Sequence, residues 1–166
     1  MHLQLRNRFE ALEERKKAFI ARIKALPVEA QSHRPSPNRF SPVEVAMHLA
    51  LSQRASTEAA KKLRPETAKA MHPRPTFLYK QTVANLKAAN RWLPTFGARV
   101  PSAGSTLDQA EQTWDWAQSD LKSLLEWAEH PQSVVTKEFP FGVLSAAQLL
   151  DLFDAHLHYH EARFPV

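Results

Sequence analysis

Apolar residues return at helical spacing along four long stretches of this chain, and prolines separate the stretches. The first stretch covers residues 2–26. Leu5, Phe9, Leu12, Phe19, Ile23 and Leu26 form a heptad-like seam, interrupted by Lys16, and Pro27 supplies a stop. Residues 27–39 hold three prolines with Ser and Asn and read as a connector. The second stretch opens on Phe40-Ser41-Pro42-Val43-Glu44-Val45. Here Ser41 is the N-cap, Pro42 takes the first helical position, Glu44 completes a capping box, and Phe40 and Val45 form a hydrophobic staple. This helix is predicted to run to about Leu63, with Val45, His48, Leu51 or Ser52, and Ala55 facing inward.

Pro65, Pro73 and Pro75 break residues 64–75. A shorter helix is predicted over residues 76–93, carrying Phe77, Leu78, Leu86 and Trp92, and residues 94–104 read as a loop. The third long helix begins near Ser105. Its seam is Leu107, Ala110, Trp114, Ala117, Leu121, Leu124 and Ala128, and Pro131 ends it. Residues 132–143 are expected to form an irregular linker with Phe139-Pro140-Phe141-Gly142 as its apolar part. The last helix opens on Ser145, with Gln148 closing a capping box and Leu144 and Leu149 a staple. Leu149, Phe153, His156 and His160 follow along one stripe.

These elements predict an all-α protein: a four-helix bundle with an additional short helix in the middle connection, in a single domain over residues 1–166. That length is enough for a sizeable core. The scarcity of glycine, 3 residues, fits helices better than a turn-rich β fold. The chain has no Cys, which excludes disulfides, thiolate metal ligands and a cysteine nucleophile. Charges recurring from Arg6 to Lys24 leave no leader-like apolar core, so a cytoplasmic location is expected, without a membrane anchor. The net charge of +5 raises nucleic acid as a partner. The basic residues are scattered, however, and Arg15-Lys16-Lys17 follows Glu10, Glu13 and Glu14, so a solvated helix face is expected and no specific nucleic-acid binding.

Chemistry concentrates in the histidines. His156 and His160 end an apolar seam one turn apart, so their imidazoles can converge on one point. His48 lies on a stripe expected to look inward on another helix. A neutral imidazole is a good ligand for zinc, nickel, copper or iron. Two ligands on one helix and a third facing them would fix an ion in a bundle core with a position open for water or substrate. The same spacing also fits histidines that pack in a core or on a surface and hold nothing. His158 points to another face, and His2, His33, His72 and His130 lie at ends or in connectors. Glu44 and Asp154, near these histidines in sequence, are read as capping and solvated residues, with hydrogen-bond support of a ligating histidine as the alternative role. There is no Gly-rich phosphate loop, no G-x-S-x-G elbow and no H-E-x-x-H, and no residue is assigned to proton transfer.

Three pieces of the chain, in this order, resemble the DinB/YfiT-like superfamily of metal-binding four-helix bundles. Residues 41–49, Ser-Pro-Val-Glu-Val-Ala-Met-His-Leu, resemble the start of its second helix, where the first ligand lies. Residues 139–145 resemble the Gly-Pro-Leu-Thr-like lead-in to its last helix, with Val143 where Pro is common. His156-Leu157-His158-Tyr159-His160 carries the H-x-x-x-H pair, while Glu161-Ala162-Arg163-Phe164 departs from the usual Leu-Arg-Gln-Phe. Residues 74–80 are similar to a subgroup of unknown function. The resemblance implies a divalent ion, nickel or zinc, on a triad of His48, His156 and His160. It also implies a small-molecule substrate and, as in some members, a low-molecular-weight thiol for an S-transferase or isomerase, or else hydrolysis. Other members have no established activity, so a non-catalytic metal- or small-molecule-binding module is the alternative. Homodimers are the implied assembly.

Overall fold

The computed structural model describes residues 1–63, 65–89, 100–102, 104–138 and 140–164. The four long amphipathic stretches form four long helices: α1 (Leu3–Lys24), α3 (Pro42–Lys61), α6 (Leu107–Trp127) and α7 (Ala146–Glu161). Between them lie α2 (Val28–Ser32), α4 (Pro65–Lys69) and α5 (Phe77–Ala88). Their caps are those the sequence specifies. Ser41 and Glu44 close a capping box at α3 and Ser145 and Gln148 another at α7; Thr106 and Gln109 form a third at α6. The expected helix over residues 76–93 ends earlier. Ala89 adopts a left-handed conformation, φ 47°, which terminates α5. Trp92 and the rest of that expected helix lie outside the described residues.

The seam of α1 is buried as predicted through Leu5, Phe9, Leu12, Phe19 and Ile23. Lys16 does not interrupt it. The side chain is buried along its stem, and its ammonium reaches the exposed Asp115 of α6 at 2.6 Å. Ala110, Trp114, Ala117, Leu121, Leu124 and Ala128 are buried on α6, while Trp116, off that seam, is exposed. The inward face of α3 differs from expectation. Val45, Leu51, Ser52 and Ala55 are only half-buried. Ala46, Leu49, Ala50, Gln53, Thr57 and Ala60 are the buried set, with His48 beside them. The first half of α3 is apolar on most sides, so periodicity alone does not select a face.

The expected irregular linker contains strands instead. β2 (Val134–Glu138) and β3 (Gly142–Ser145) pair antiparallel, and β1 (Arg74–Pro75) pairs with the other edge of β3. The β-branched run Val134-Val135-Thr136 suits a strand, and all three side chains are buried. Gly142 sits between both partners at φ 92°, and a Cβ there would lie 2.5 Å from the Arg74 carbonyl oxygen. Only glycine allows that approach.

This sheet delivers the chain into α7 and satisfies its first turn. The backbone N–H of Ala146 donates to the Ser133 carbonyl and that of Ala147 to the Pro131 carbonyl, both at 2.9 Å. α7 is then covered on two sides. Leu149, Leu150, Phe153 and Leu157 join the main core with α1, α3 and α6. Leu152, Ala155 and Tyr159 pack against Tyr79 and Leu86 of α5 in a second cluster. The Tyr79 hydroxyl donates to the Gln148 carbonyl at 2.9 Å. Along the remaining flank, Arg8 pairs with Asp151, and Arg15 with both Asp154 and Glu161. Among the described residues, no helix is long and apolar enough to cross a membrane.

Candidate metal centre

The ladder of contacts around α7 sets the rotation of the helix, and that rotation turns His156 and His160 toward α3. There they meet His48, which is fully buried two turns into α3. The Nε2 atoms of His48 and His156 lie 3.2 Å apart, and those of His160 and His156 lie 3.3 Å apart. The three rings each offer a nitrogen within 4.8 Å of the others. For bond lengths of about 2.0–2.1 Å, two nitrogen ligands of a tetrahedral ion stand about 3.4 Å apart. The spacing of these nitrogens therefore fits the donor set of a single first-row divalent ion, and the cluster is compatible with metal binding.

The surroundings keep the two imidazoles of α7 uncharged. Burial, reinforced by His48, pushes the pKa of His156 down to about 3. Burial also holds His160 well below its ordinary value, with smaller contributions from His156, His48 and Arg163. Neutral imidazole is the ligating form, so the protein presents these two donors without first having to shed protons.

Aromatic side chains flank the cluster, in which His48 is buried and His156 and His160 are half-buried. The Phe40 ring lies 5.4 Å from that of His48, and Tyr159 stands edge-on to His160 at 5.1 Å. Arg163 places its guanidinium 4.6 Å from the centre of the Tyr159 ring. Glu44 accepts from the Ser41 backbone and from Arg34, and Asp154 is engaged by Arg15. Glu44 thus caps α3 as expected, and both acids are ion-paired, which the sequence reading did not anticipate. His158 is exposed, as are His2, His33, His72 and His130.

One polar residue at this centre escaped the sequence reading. Gln53 is buried one turn beyond Leu49 on α3 and accepts a hydrogen bond from the Trp114 indole at 3.0 Å. Its signal was a polar residue at a three-to-four spacing along Ala46, Leu49 or Ala50, Gln53, Thr57 and Ala60. That signal was hidden because the inward stripe was placed on the neighbouring face.

The bundle with three converging histidines on its second and last long helices is the arrangement of a metal-site helical bundle. The profile of the DinB superfamily matches residues 11–162. The chain belongs to that superfamily. No curated protein and no solved structure matches it.

Proposed function

We propose that this chain is a divalent-metal-dependent enzyme acting on a small molecule, with nickel or zinc held by His48, His156 and His160. The observation that carries the reading is the convergence of three imidazoles, two of them held uncharged, at the spacing of ligands to one ion. Three protein donors leave a coordination position open, the pattern of a catalytic site. A bound ion would supply Lewis acidity, activating either a thiol cosubstrate or a water molecule, which corresponds to S-transfer or hydrolysis. The chain's own part is to fix the donors and exclude solvent. α7, packed on two sides, holds His156 and His160 at constant separation, while Phe40 and Tyr159 shield the rings.

A second reading, a non-catalytic binding module, draws on one observation. The carboxylates nearest the centre in sequence, Glu44, Asp154 and Glu161, are all committed to ion pairs with arginines. No acidic group among them stands ready to move a proton. A nucleic-acid role gains no support from the basic surface, where Lys24, Lys61 and Lys69 pair with Glu111, Asp120 and Glu129.

Elemental analysis of untagged protein tests the assignment. About one nickel or zinc per chain is expected, lost in His48→Ala and in His160→Ala while the helical circular dichroism remains. Undiminished metal in both variants would refute the triad. Metal-dependent turnover on thiol-plus-electrophile or ester and amide panels separates the enzyme from the module, which would bind the ion and turn over nothing.

A further inference from the structure

The stripe that carries the two histidines of α7 has one more member. Leu149, Phe153, His156 and His160 follow one another at steps of four and three, and the next step of three reaches Arg163. The Arg163 backbone N–H donates to the His160 carbonyl at 3.2 Å, so the turn continues through it. Phe164, next in the chain, is buried with its ring 5.1 Å from that of Phe19 and ties this segment to the core. The Arg163 guanidinium lies 4.6 Å from the centre of the Tyr159 ring, which in turn stands 5.1 Å from the His160 ring. A positive charge is thus held beside the donor set, and His160 feels it as one of the causes that oppose its protonation.

That charge has no counterpart in the protein. Arg8 and Arg15 pair with carboxylates of α7, and Arg34 with Glu44 of α3. The Arg163 side chain has no carboxylate or carbonyl partner among the described residues, and its Nε is buried without an acceptor. The residue as a whole is half-exposed, so a solute can reach it. Stacking on Tyr159 occupies the face of the guanidinium and leaves its N–H edge for a planar anion. Beside a cation site such a charge opposes loading of the ion. The donor cluster does not compensate, since imidazoles bring no negative charge and no carboxylate belongs to the cluster. An anion placed between the ion and Arg163 turns this repulsion into two attractions.

We infer that Arg163 anchors the substrate of this centre, and that the substrate is a small molecule bearing a carboxylate, which the guanidinium receives at the end of the histidine stripe. The inference deepens the reading of the histidines as the functional site and rests on it for the word substrate. The planar fork of one guanidinium matches one carboxylate, a monoanion. A phosphoryl dianion calls for more donors, and Arg163 stands at the C-terminal end of α7, where the backbone presents carbonyls and the helix dipole disfavours negative charge. Arg163 also lies in the segment 161–164 that departs from the usual Leu-Arg-Gln-Phe, at the place of the uncharged Gln. The selectivity is therefore expected of this chain and not of every bundle built like it.

Propionate and its neutral isostere propionamide test the anchor. Each is titrated at pH 7.5 and constant ionic strength into 15N-labelled protein, zinc-loaded and zinc-free, while the Arg163 side-chain Nε–H and the His160 backbone amide resonances are followed. Propionate should shift both saturably, more tightly with zinc, and propionamide should bind about tenfold more weakly or worse. In Arg163→Gln the His160 amide should report propionate binding weakened by about tenfold or more, with zinc content unchanged and the preference over propionamide lost in the zinc-free form. Arg163→Lys keeps the charge without the fork, so it should fall between, and it serves should Arg163→Gln fail to fold. Propionate affinity unchanged in these variants would mean that the ion alone holds the carboxylate, and overturns the anchor. The absence of a saturable shift in both forms of the wild type overturns it too. Failure of the metal reading is seen separately as absent zinc by elemental analysis, and the zinc-free titration then still decides for or against Arg163.

Discussion

Acidifying the metal-free protein from about pH 7.5 to 5 should destabilise it through His156 and His160, because protonation of an imidazole is opposed inside this bundle. Unfolding releases each ring to water, where it binds a proton with the ordinary pKa of 6.5; in the native protein His156 does so only near 3, and His160 also lies well below 6.5. Between those values the unfolded state holds more protons than the native one. Stability is therefore intact above pH 6.5 and is lost progressively as pH falls toward 3. At pH 5 the loss for His156 alone is about 2 kcal/mol, and His160 adds to it in the same direction. That is a sizeable part of the 5–15 kcal/mol typical of a domain. Most carboxylates titrate below this window, so it isolates the histidines. Urea unfolding with a chelator present, at half-unit pH steps, gives the measurement as a falling midpoint at constant slope. The double variant His156→Gln, His160→Gln should be nearly flat over the same range. A wild-type midpoint that does not move between pH 7.5 and 5, or an equal fall in the double variant, would refute the reasoning.

Two further substitutions probe the scaffold around the centre. Gly142→Ala combines a positive φ with a Cβ at 2.5 Å from the Arg74 carbonyl and should cost about 2–5 kcal/mol, read as a lowered thermal midpoint; an unchanged midpoint would mean that the β1–β3 approach is looser than described. Glu44→Gln removes the Arg34 ion pair while leaving an acceptor for the Ser41 backbone, and should lower the thermal midpoint slightly at pH 7. Hydrogen bonding from Arg34 holds the Glu44 carboxyl below its ordinary 4.5, so this contribution is present above that value and disappears as pH falls beneath it. A difference from wild type that persists at pH 2 would rule out the ion pair as its source.

The helices were legible because their caps are local chemistry. Ser41 with Glu44 and Ser145 with Gln148 each solve the problem of unpaired backbone N–H groups within four residues, and the structure shows both boxes closed. His156 and His160 were legible for the same reason: one helix fixes their separation. His48 could be placed opposite them only as an expectation, since nothing local states which part of α3 meets α7. Of the strands, β2 left a local signal in the β-branched run Val134-Val135-Thr136, while β1 was not legible. β1 consists of two residues whose partner lies nearly seventy positions away, and pairing over such a distance leaves little periodicity in either segment. The burial of Gln53 and Lys16 depends on single partners from α6, Trp114 and Asp115, and such pairings have no signature along one helix.

The two-sided packing of α7 has a consequence for the energetics of the ion. A helix held by apolar contacts from both the main core and α5 owes little of its order to any ligand, so the donors stand assembled beforehand. In zinc fingers the affinity for metal is spent largely on folding the chain. Here little of it would be diverted in that way, and a bundle packed like this one would stay folded without an ion. Inheritance would be affected too: on the proposed function, substitutions at His48, His156 or His160 would alter chemistry while the packing of α7 stays in place, so the scaffold would outlast any one reaction it carried.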